Sequence, residues 1–117
     1  MNIKTLATEM DNIVAQGAII DAVQQFFANN ATTSDYNGVA TSTKQQMVSK
    51  MEGFADAIAQ VNGITHHRTI VDGNVSASEF TFDFDMKDSS KVYWHEIIRR
   101  IWNDEGKVVQ EEYFNAQ

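Results

Sequence analysis

The sequence contains no cysteine and no proline, and it has only six glycines among 117 residues. Without cysteine, neither a disulfide framework nor a cysteine-type zinc site can form, and a reducing compartment is favoured. The first 25 residues lack a basic region followed by an apolar run, and no apolar stretch approaches the roughly 18 residues that span a bilayer. We therefore expect a cytoplasmic protein with no membrane segment.

Basic residues are also scarce. Nine Lys and Arg stand against 16 Asp and Glu, which gives a formal charge of −7 and a pI near 4.7. Binding to nucleic acid or to an anionic membrane needs a basic surface, so neither is expected as a partner. With 43% hydrophobic residues the chain can bury one core, and residues 1–117 are predicted to form a single domain.

The chain divides into a helical half and a strand half. Apolar residues recur at helical spacing before residue 60, in two stretches separated by Gly17 and in a third that a Thr43–Gln46 capping box opens. Between them, residues 31–36 are predicted to be extended and to end at an Asn37-Gly38 turn. Four strands are then predicted at 64–71, 75–86, 91–103 and 107–115. Helices followed by strands indicate an α+β fold, with the N-terminal helices packed in the concave face of a strongly curved antiparallel sheet.

Alternation along the second strand predicts which face is buried. Phe80, Phe82 and Phe84 alternate with acidic and polar residues, so the even-numbered face is expected to meet the helices. Three-residue turns would set even residues opposite even ones, with Phe84 facing Trp94 and Ile98 facing Glu112. The same register would place Glu79 opposite Arg99, Arg99 opposite Glu111 and Asp83 opposite His95 on the outer face.

The outer face of the predicted sheet is also partly apolar. A sheet with two apolar faces usually has both of them covered, and a second copy of the chain is the simplest cover. We therefore expect a homodimer through the convex sheet face. The outer residues that carry this prediction are Tyr93, Ile97, Ile101, Val109 and Tyr113.

The order of several segments resembles the SnoaL-like and nuclear-transport-factor-2-like cone fold, which includes ketosteroid isomerases. The segments are 26–32 leading to Asp35, 102–108 with Gly106-Lys107, and the ending 112–115. In the isomerases, the position matched by Asp35 holds the general base. The first helix here has no Tyr, and Ile98 stands where those enzymes carry a protonated Asp, so the resemblance implies a base without either oxyanion donor. Limonene-epoxide hydrolases are similar in the last strand, where Glu112 matches a pocket carboxylate.

Two carboxylates are candidate catalytic groups. Asp35 is either the general base that the resemblance implies or a turn residue beside Asn37-Gly38. Glu96 would lie on the inner face with Arg100 and Glu112, where buried charges must pair or shift their pKa. This group either orients a ligand or forms a structural ion pair.

The remaining candidates are ligand-binding residues. His66 and His67 point to opposite faces of a strand, so one of them faces the pocket, and no set of metal ligands converges. His95 is expected to pair with Asp83 on the outer face. The candidate ligand-binding residues are Arg100, Glu112, Trp94, Trp102, Phe82, Phe84, Tyr36 and His66.

These residues predict a pocket for a small, largely apolar organic molecule. Acid–base chemistry without a cofactor, of the isomerase, cyclase or hydrolase class, is one interpretation of the pocket. The alternative is a non-catalytic dimeric module whose pocket is filled by its own aromatic side chains.

Overall fold

The computed structural model describes residues 2–117, in which three helices pack against one six-stranded curved sheet. This arrangement confirms the predicted α+β class. The elements in chain order are α1 Ile3–Ala15, α2 Ile19–Phe26, β1 Phe27–Ser34, β2 Ala40–Thr41, α3 Lys44–Ala57, β3 Ile58–Asp72, β4 Val75–Met86, β5 Lys91–Trp102 and β6 Val108–Asn115.

Local signals set the helix ends. The Asn2 side chain accepts a hydrogen bond from the Thr5 backbone N–H and caps α1, and Gly17 follows that helix with a φ of +88°. Thr43 caps α3 by accepting from the Gln46 N–H at 3.1 Å, as the capping box predicted. The Gln46 side chain reaches back to the Ser42 N–H at 2.8 Å. Each cap satisfies backbone donors that the first helical turn leaves without partners.

The sheet order is β2-β1-β6-β5-β4-β3, and every neighbouring pair is antiparallel except β1 and β6. The four strands of the predicted sheet, β3 to β6, therefore pair antiparallel as expected, and the predicted extended segment joins this sheet as β1, parallel to β6. Parallel strands require a long connection, and the chain between β1 and β6 includes α3 and four strands. The predicted extended segment 31–36 also begins earlier, at Phe27, directly after α2.

Strand β3 begins at Ile58, six residues before the predicted start. Its partner β4 has the predicted bounds, and Ile58 lies opposite Met86, so pairing with a long neighbour determines where β3 begins. Pairing therefore overrides the helical pattern near residue 60. The β3–β4 register shifts at three places, and such irregularities bend a sheet.

The β4–β5 register differs from the prediction by two residues. Asp85 lies opposite Lys91 and Phe82 lies opposite Trp94, so even residues still face even residues. The predicted register would have set Lys87 opposite Lys91, and like charges opposite each other are unfavourable. His95 consequently pairs with Glu79, with 2.6 Å between Nε2 and Oε2, and not with Asp83.

The β5–β6 register contains the change that matters most for the site. Trp102 lies opposite Val108 as predicted, but the next pair is Ile101 and Gln110, so Val109 is an extra residue. This bulge turns every later residue of β6 to the other face. Glu111 and Tyr113 point inward as a result, while Glu112 and Phe114 point outward. The predicted outer positions of Glu111 and Tyr113, and the inner position of Glu112, were wrong.

The core lies between the helices and the even-numbered faces of β4 and β5. Phe80, Phe82, Phe84 and Ile98 are all at most 5% exposed and belong to one buried cluster with Met10 of α1. Within residues 2–117, no helix has the length and apolar character to cross a membrane.

Candidate functional site

Two of the cavities between the helices and the sheet share part of their lining and are called here the inner chamber and the vestibule. The inner chamber has a volume of about 60 Å³ and the vestibule about 520 Å³. The inner chamber is lined by Met10, Val14, Ile19, Ala22, Val23, Met51, Phe54, Phe82, Phe84, Trp94, Glu96, Ile98, Arg100, Glu111 and Tyr113. The vestibule is lined by Asp35, Tyr36, Asn37, Val39, Lys50, Met51, Phe54, Trp94, Glu96 and Tyr113. Glu96 and Tyr113 are the polar side chains that line both.

Glu96 lies on β5 between Phe80 of β4 and Asn115 of β6, and its side chain is 5% exposed. Burial raises the pKa of Glu96 to about 7. The hydrogen bond from the Tyr36 hydroxyl and the positive charge of Lys50 lower this pKa. The negative charges of Asp35 and Glu111 raise it. A carboxyl with this pKa exchanges protons readily near neutral pH, which suits a general acid or base.

The vestibule brings three further polar residues towards Glu96. Tyr36 is 46% exposed, but partial burial of its hydroxyl and the Glu96 charge raise its pKa to about 12, so the hydroxyl stays protonated. Lys50 of α3 pairs with Asp35, with 2.6 Å between Nζ and Oδ2. The Asp35 backbone also closes the predicted turn, because its N–H donates to the Val39 carbonyl and its own carbonyl accepts from Gly38. Asp35 is therefore both a turn residue and a vestibule residue, and its carboxylate is directed at Lys50.

Arg100 is the centre of a buried ionic network at the wall of the inner chamber. Its Nη1 donates to Asp11 Oδ1 at 2.7 Å and its Nε donates to Glu111 Oε2 at 2.8 Å, and all three side chains are at most 2% exposed. Ser78 and Thr69 donate to the other Asp11 oxygen. Two carboxylates thus share one guanidinium, which keeps the pKa of Arg100 above its usual range despite burial.

The bulge decides which glutamate joins this network. Glu112 was predicted to lie inside beside Arg100, but it pairs on the outer face with Arg99, with 2.8 Å between Oε1 and Nη1. Glu111 takes the inner place. Tyr113 follows Glu111 into the cavity, where burial and the Glu111 charge raise the pKa of its hydroxyl well above the usual value.

Two other candidates face the core but line neither the inner chamber nor the vestibule. Trp102 is 1% exposed, and its Nε1 donates to Ser76 Oγ at 2.9 Å. His66 is the inward member of the histidine pair, stacks on Phe80 and contacts Thr69 Oγ1 through Nε2 at 2.7 Å. Trp102 therefore belongs to the core, whereas the His66 side chain is 20% exposed, and neither lies in the wall of these two cavities.

The aromatic candidates do line the cavities. Trp94 is 37% exposed and stacks on Phe54, with 5.5 Å between ring centroids. Phe54 also meets Phe84 edge to face, and Phe82 and Phe84 complete the sheet side of the inner chamber. These rings leave the inner chamber small, so they fill part of the cone as well as lining it.

Sequence reasoning missed Asp11, Lys50 and Glu111. Asp11 could have been found, because it follows Ala7 by four residues and precedes Val14 by three, which places it on the buried helix face. Glu111 could not be found without the bulge. Within residues 2–117, no three His, Asp or Glu side chains are arranged to hold a metal ion.

Comparisons with known proteins identify the fold. No family model and no curated protein matches the chain. A candidate SnoaL-like polyketide cyclase from Mesorhizobium loti matches 97% of this chain and 99% of its own, with a TM-score of 0.88 and 19% identity. An NTF2-like protein of unknown function from Burkholderia pseudomallei covers 98% and 91%, with a TM-score of 0.80 and 11% identity.

A third solved structure adds a ligand to the comparison. A protein with a ketosteroid-isomerase-like fold from Catenulispora acidiphila, in complex with trimethylamine, covers 91% of this chain and 84% of its own, with a TM-score of 0.76 and 14% identity. The TM-scores establish the fold, and sequence identities this low leave the chemistry open. The chain therefore has the SnoaL-like, nuclear-transport-factor-2-like cone fold that its sequence predicted.

Proposed function

We propose that this protein binds a small, largely apolar organic molecule across the vestibule and inner chamber, and that Glu96 moves a proton on it without a cofactor. The observation that carries the proposal is the position of Glu96. It is a buried carboxyl with a pKa raised to about 7, on the wall that both cavities share. Raised carboxyl pKa values in a cleft are typical of acid–base sites.

The surrounding groups suit proton abstraction next to a carbonyl. The Glu96 carboxylate would take a proton from the carbon beside the carbonyl, and the electron pair left behind would form an enolate. The protonated Tyr36 hydroxyl would donate a hydrogen bond to the enolate oxygen, and the Lys50 ammonium would add positive charge nearby. Protonated Glu96 would then return the proton to the same carbon or to a conjugated one, which gives exchange or isomerisation.

Hydrogen–deuterium exchange tests this step without knowledge of the natural substrate. Apolar ketones, beginning with 2-tetralone, are incubated with the protein in D₂O at pD 7.5, and loss of the α-proton signal is followed by NMR. Glu96→Gln should reduce the protein-dependent rate by about 10²–10⁴-fold. Glu112→Gln, an outer-face change of the same chemistry, should leave the rate unchanged. Equal rates for wild type and Glu96→Gln would remove Glu96 as the base.

The alternative is a non-catalytic binding module. The small volume of the inner chamber, about 60 Å³, favours it because Phe82, Phe84 and Trp94 already occupy much of the cone. Under this alternative, ketones would bind and raise the melting temperature but would show no protein-dependent exchange. The same NMR samples distinguish the two functions.

We also propose a homodimer through the outer face of the sheet. Tyr93 is 55% exposed and Phe114 is 45% exposed on this face. Ile97, which lies opposite Phe114, and Ile101 are half-buried on the same face. Tyr113 was predicted to lie on this outer face but points inward, and Phe114 lies on the outer face in its place. Val109, also predicted on this face, is the extra residue of the bulge. Apolar residues on both faces of a sheet favour a second layer, and a two-fold pair buries this stripe against itself. The cysteine-free composition supports the cytoplasm as the proposed location.

A further inference from the structure

A third cavity, the side groove, shares four wall residues with the inner chamber: Ile19, Met51, Phe54 and Phe84. The side groove has a volume of about 350 Å³, and among the described residues that line it only Asp21 is ionisable. The vestibule, by contrast, has several polar side chains in its wall, among them those that face Glu96. The inner chamber therefore has a polar cavity on one side and an apolar cavity on another.

Three aromatic rings lie between the side groove and the vestibule. Trp94 lines the vestibule but not the side groove, Phe84 lines the side groove but not the vestibule, and Phe54 lines both. All three rings also line the inner chamber. Phe54 stacks on Trp94 with 5.5 Å between ring centroids and meets Phe84 edge to face at 5.7 Å. Phe54 is therefore the central ring of this row and forms part of the wall between the two larger cavities.

Packing holds the Phe54 ring in this position. Its stacked and edge-to-face contacts are the arrangements that aromatic pairs prefer. Met51 also lines all three cavities, but a methionine side chain is unbranched and adapts to its surroundings. Phe54, more than Met51, therefore decides whether the side groove is separate from the rest of the pocket.

The small inner chamber limits what a ligand can bury while the ring is in place. A volume of about 60 Å³ holds a group the size of only a few water molecules. A ligand with its carbonyl beside Glu96 would fill this space with a few carbon atoms. Each further methylene that leaves water would add about fourfold in affinity, but only if the side groove received it.

We propose that Phe54 is the specificity-determining residue of the pocket: it closes the side groove to the ligand and restricts binding to carbonyl compounds with a short or compact apolar body. This inference rests on the proposed pocket function and assigns the size of its ligand. Removing the ring should join the side groove to the inner chamber, because packed surroundings only partly collapse into the space that a large side chain leaves.

A series of methyl ketones with tails of increasing length tests the assignment. Binding of 2-pentanone, 2-heptanone and 2-nonanone is measured by ¹H–¹⁵N NMR titration at pH 7.5. With wild type, 2-heptanone and 2-nonanone should bind within about threefold of each other, because the added methylenes stay in water. With Phe54→Ala, 2-nonanone should bind at least about tenfold more tightly than 2-heptanone, because two more methylenes are buried.

Two amide signals report where the tail lies. Ile20 and Val61 line the side groove but neither the inner chamber nor the vestibule. 2-Nonanone should shift both signals in Phe54→Ala and neither in wild type. Phe114→Ala makes the same change on the outer face, away from all three cavities, and should keep the wild-type length dependence. If Phe54→Ala does not fold, Phe54→Leu should show the same change to a smaller extent, because leucine is smaller and has no ring.

The outcomes separate this inference from the proposed function. The same length dependence in wild type and in the folded Phe54 variant would overturn the assignment and leave the pocket intact. A shift of Ile20 and Val61 by 2-nonanone in wild type would also overturn it, because the side groove would already be open. Loss of the Glu96 chemistry alone would leave it standing, since the titrations measure binding without exchange. If none of the three ketones binds to either protein, the pocket function and the inference fall together.

Discussion

Replacing Arg100 with methionine tests the buried network at its centre. Methionine fills a similar volume but supplies no charge, so Asp11 and Glu111 would remain buried without a counter-ion. Removing one partner of a buried ionic group costs about 3–5 kcal/mol. For a domain of this size, such a loss lowers the melting temperature by roughly 12–20 °C.

The neighbouring arginine supplies the control. Arg99 pairs with Glu112 on the outer face, where the two side chains are 39% and 28% exposed. Arg99→Met should therefore cost no more than about 1 kcal/mol. Urea unfolding at pH 7, followed by tryptophan fluorescence, measures both variants under one condition.

A compensated variant separates lost charge balance from lost packing. Arg100→Met combined with Asp11→Asn and Glu111→Gln removes all three charges and should recover much of the lost stability. If Arg100→Met is no more destabilising than Arg99→Met, Arg100 is not buried among carboxylates. The face assignment of β5, and the inner chamber with it, would then be wrong.

Three further predictions concern pH, backbone and assembly. Between pH 4.5 and about 7, Glu96 is ionised in the unfolded protein but protonated in the folded protein. The free energy of unfolding of the wild type should therefore fall with rising pH by at most about 3 kcal/mol relative to Glu96→Gln. Urea unfolding across this pH range measures the difference. A constant difference between the two proteins would contradict the raised pKa. Gly17→Ala should destabilise by about 1–2 kcal/mol because Gly17 has a φ of +88°, whereas Gly53→Ala within α3 should be neutral or stabilising in thermal melts. Ile97→Glu should convert a dimer to a 13.2 kDa monomer in sedimentation velocity, and a monomeric wild type at micromolar concentration would refute the proposed interface.

The fold was predictable because its strongest signals are local and agree with one another. Alternation of Phe80, Phe82 and Phe84 with polar residues determined both the bounds of β4 and its buried face. The capping box at Thr43 located the start of α3. Strand β3 was predicted less well, because its first residues are strand only through pairing with β4.

The sequence predicted the face of a site residue correctly only where the strand pairing contains no bulge. Glu96 and Arg100 were placed correctly because an error of two residues between β4 and β5 preserves the face. Glu112 was placed wrongly because a single extra residue, Val109, exchanges the faces of β6. A bulge leaves no composition signal here, since Val108 and Val109 are equally suited to a strand. The part of the site that depends on non-local pairing, including the inward position of Glu111 beside Arg100, therefore required the three-dimensional structure.

The central claim is that Glu96 is a proton-exchanging group in a buried pocket. Its side-chain carboxyl carbon can be followed directly by ¹³C NMR in protein labelled at glutamate, with Glu96→Gln identifying the resonance. We predict a titration midpoint near pH 7, because burial between the chamber and the vestibule disfavours the charged form. A midpoint near 4.5, the ordinary value for glutamate, would show that Glu96 is solvated and would contradict its role in the pocket.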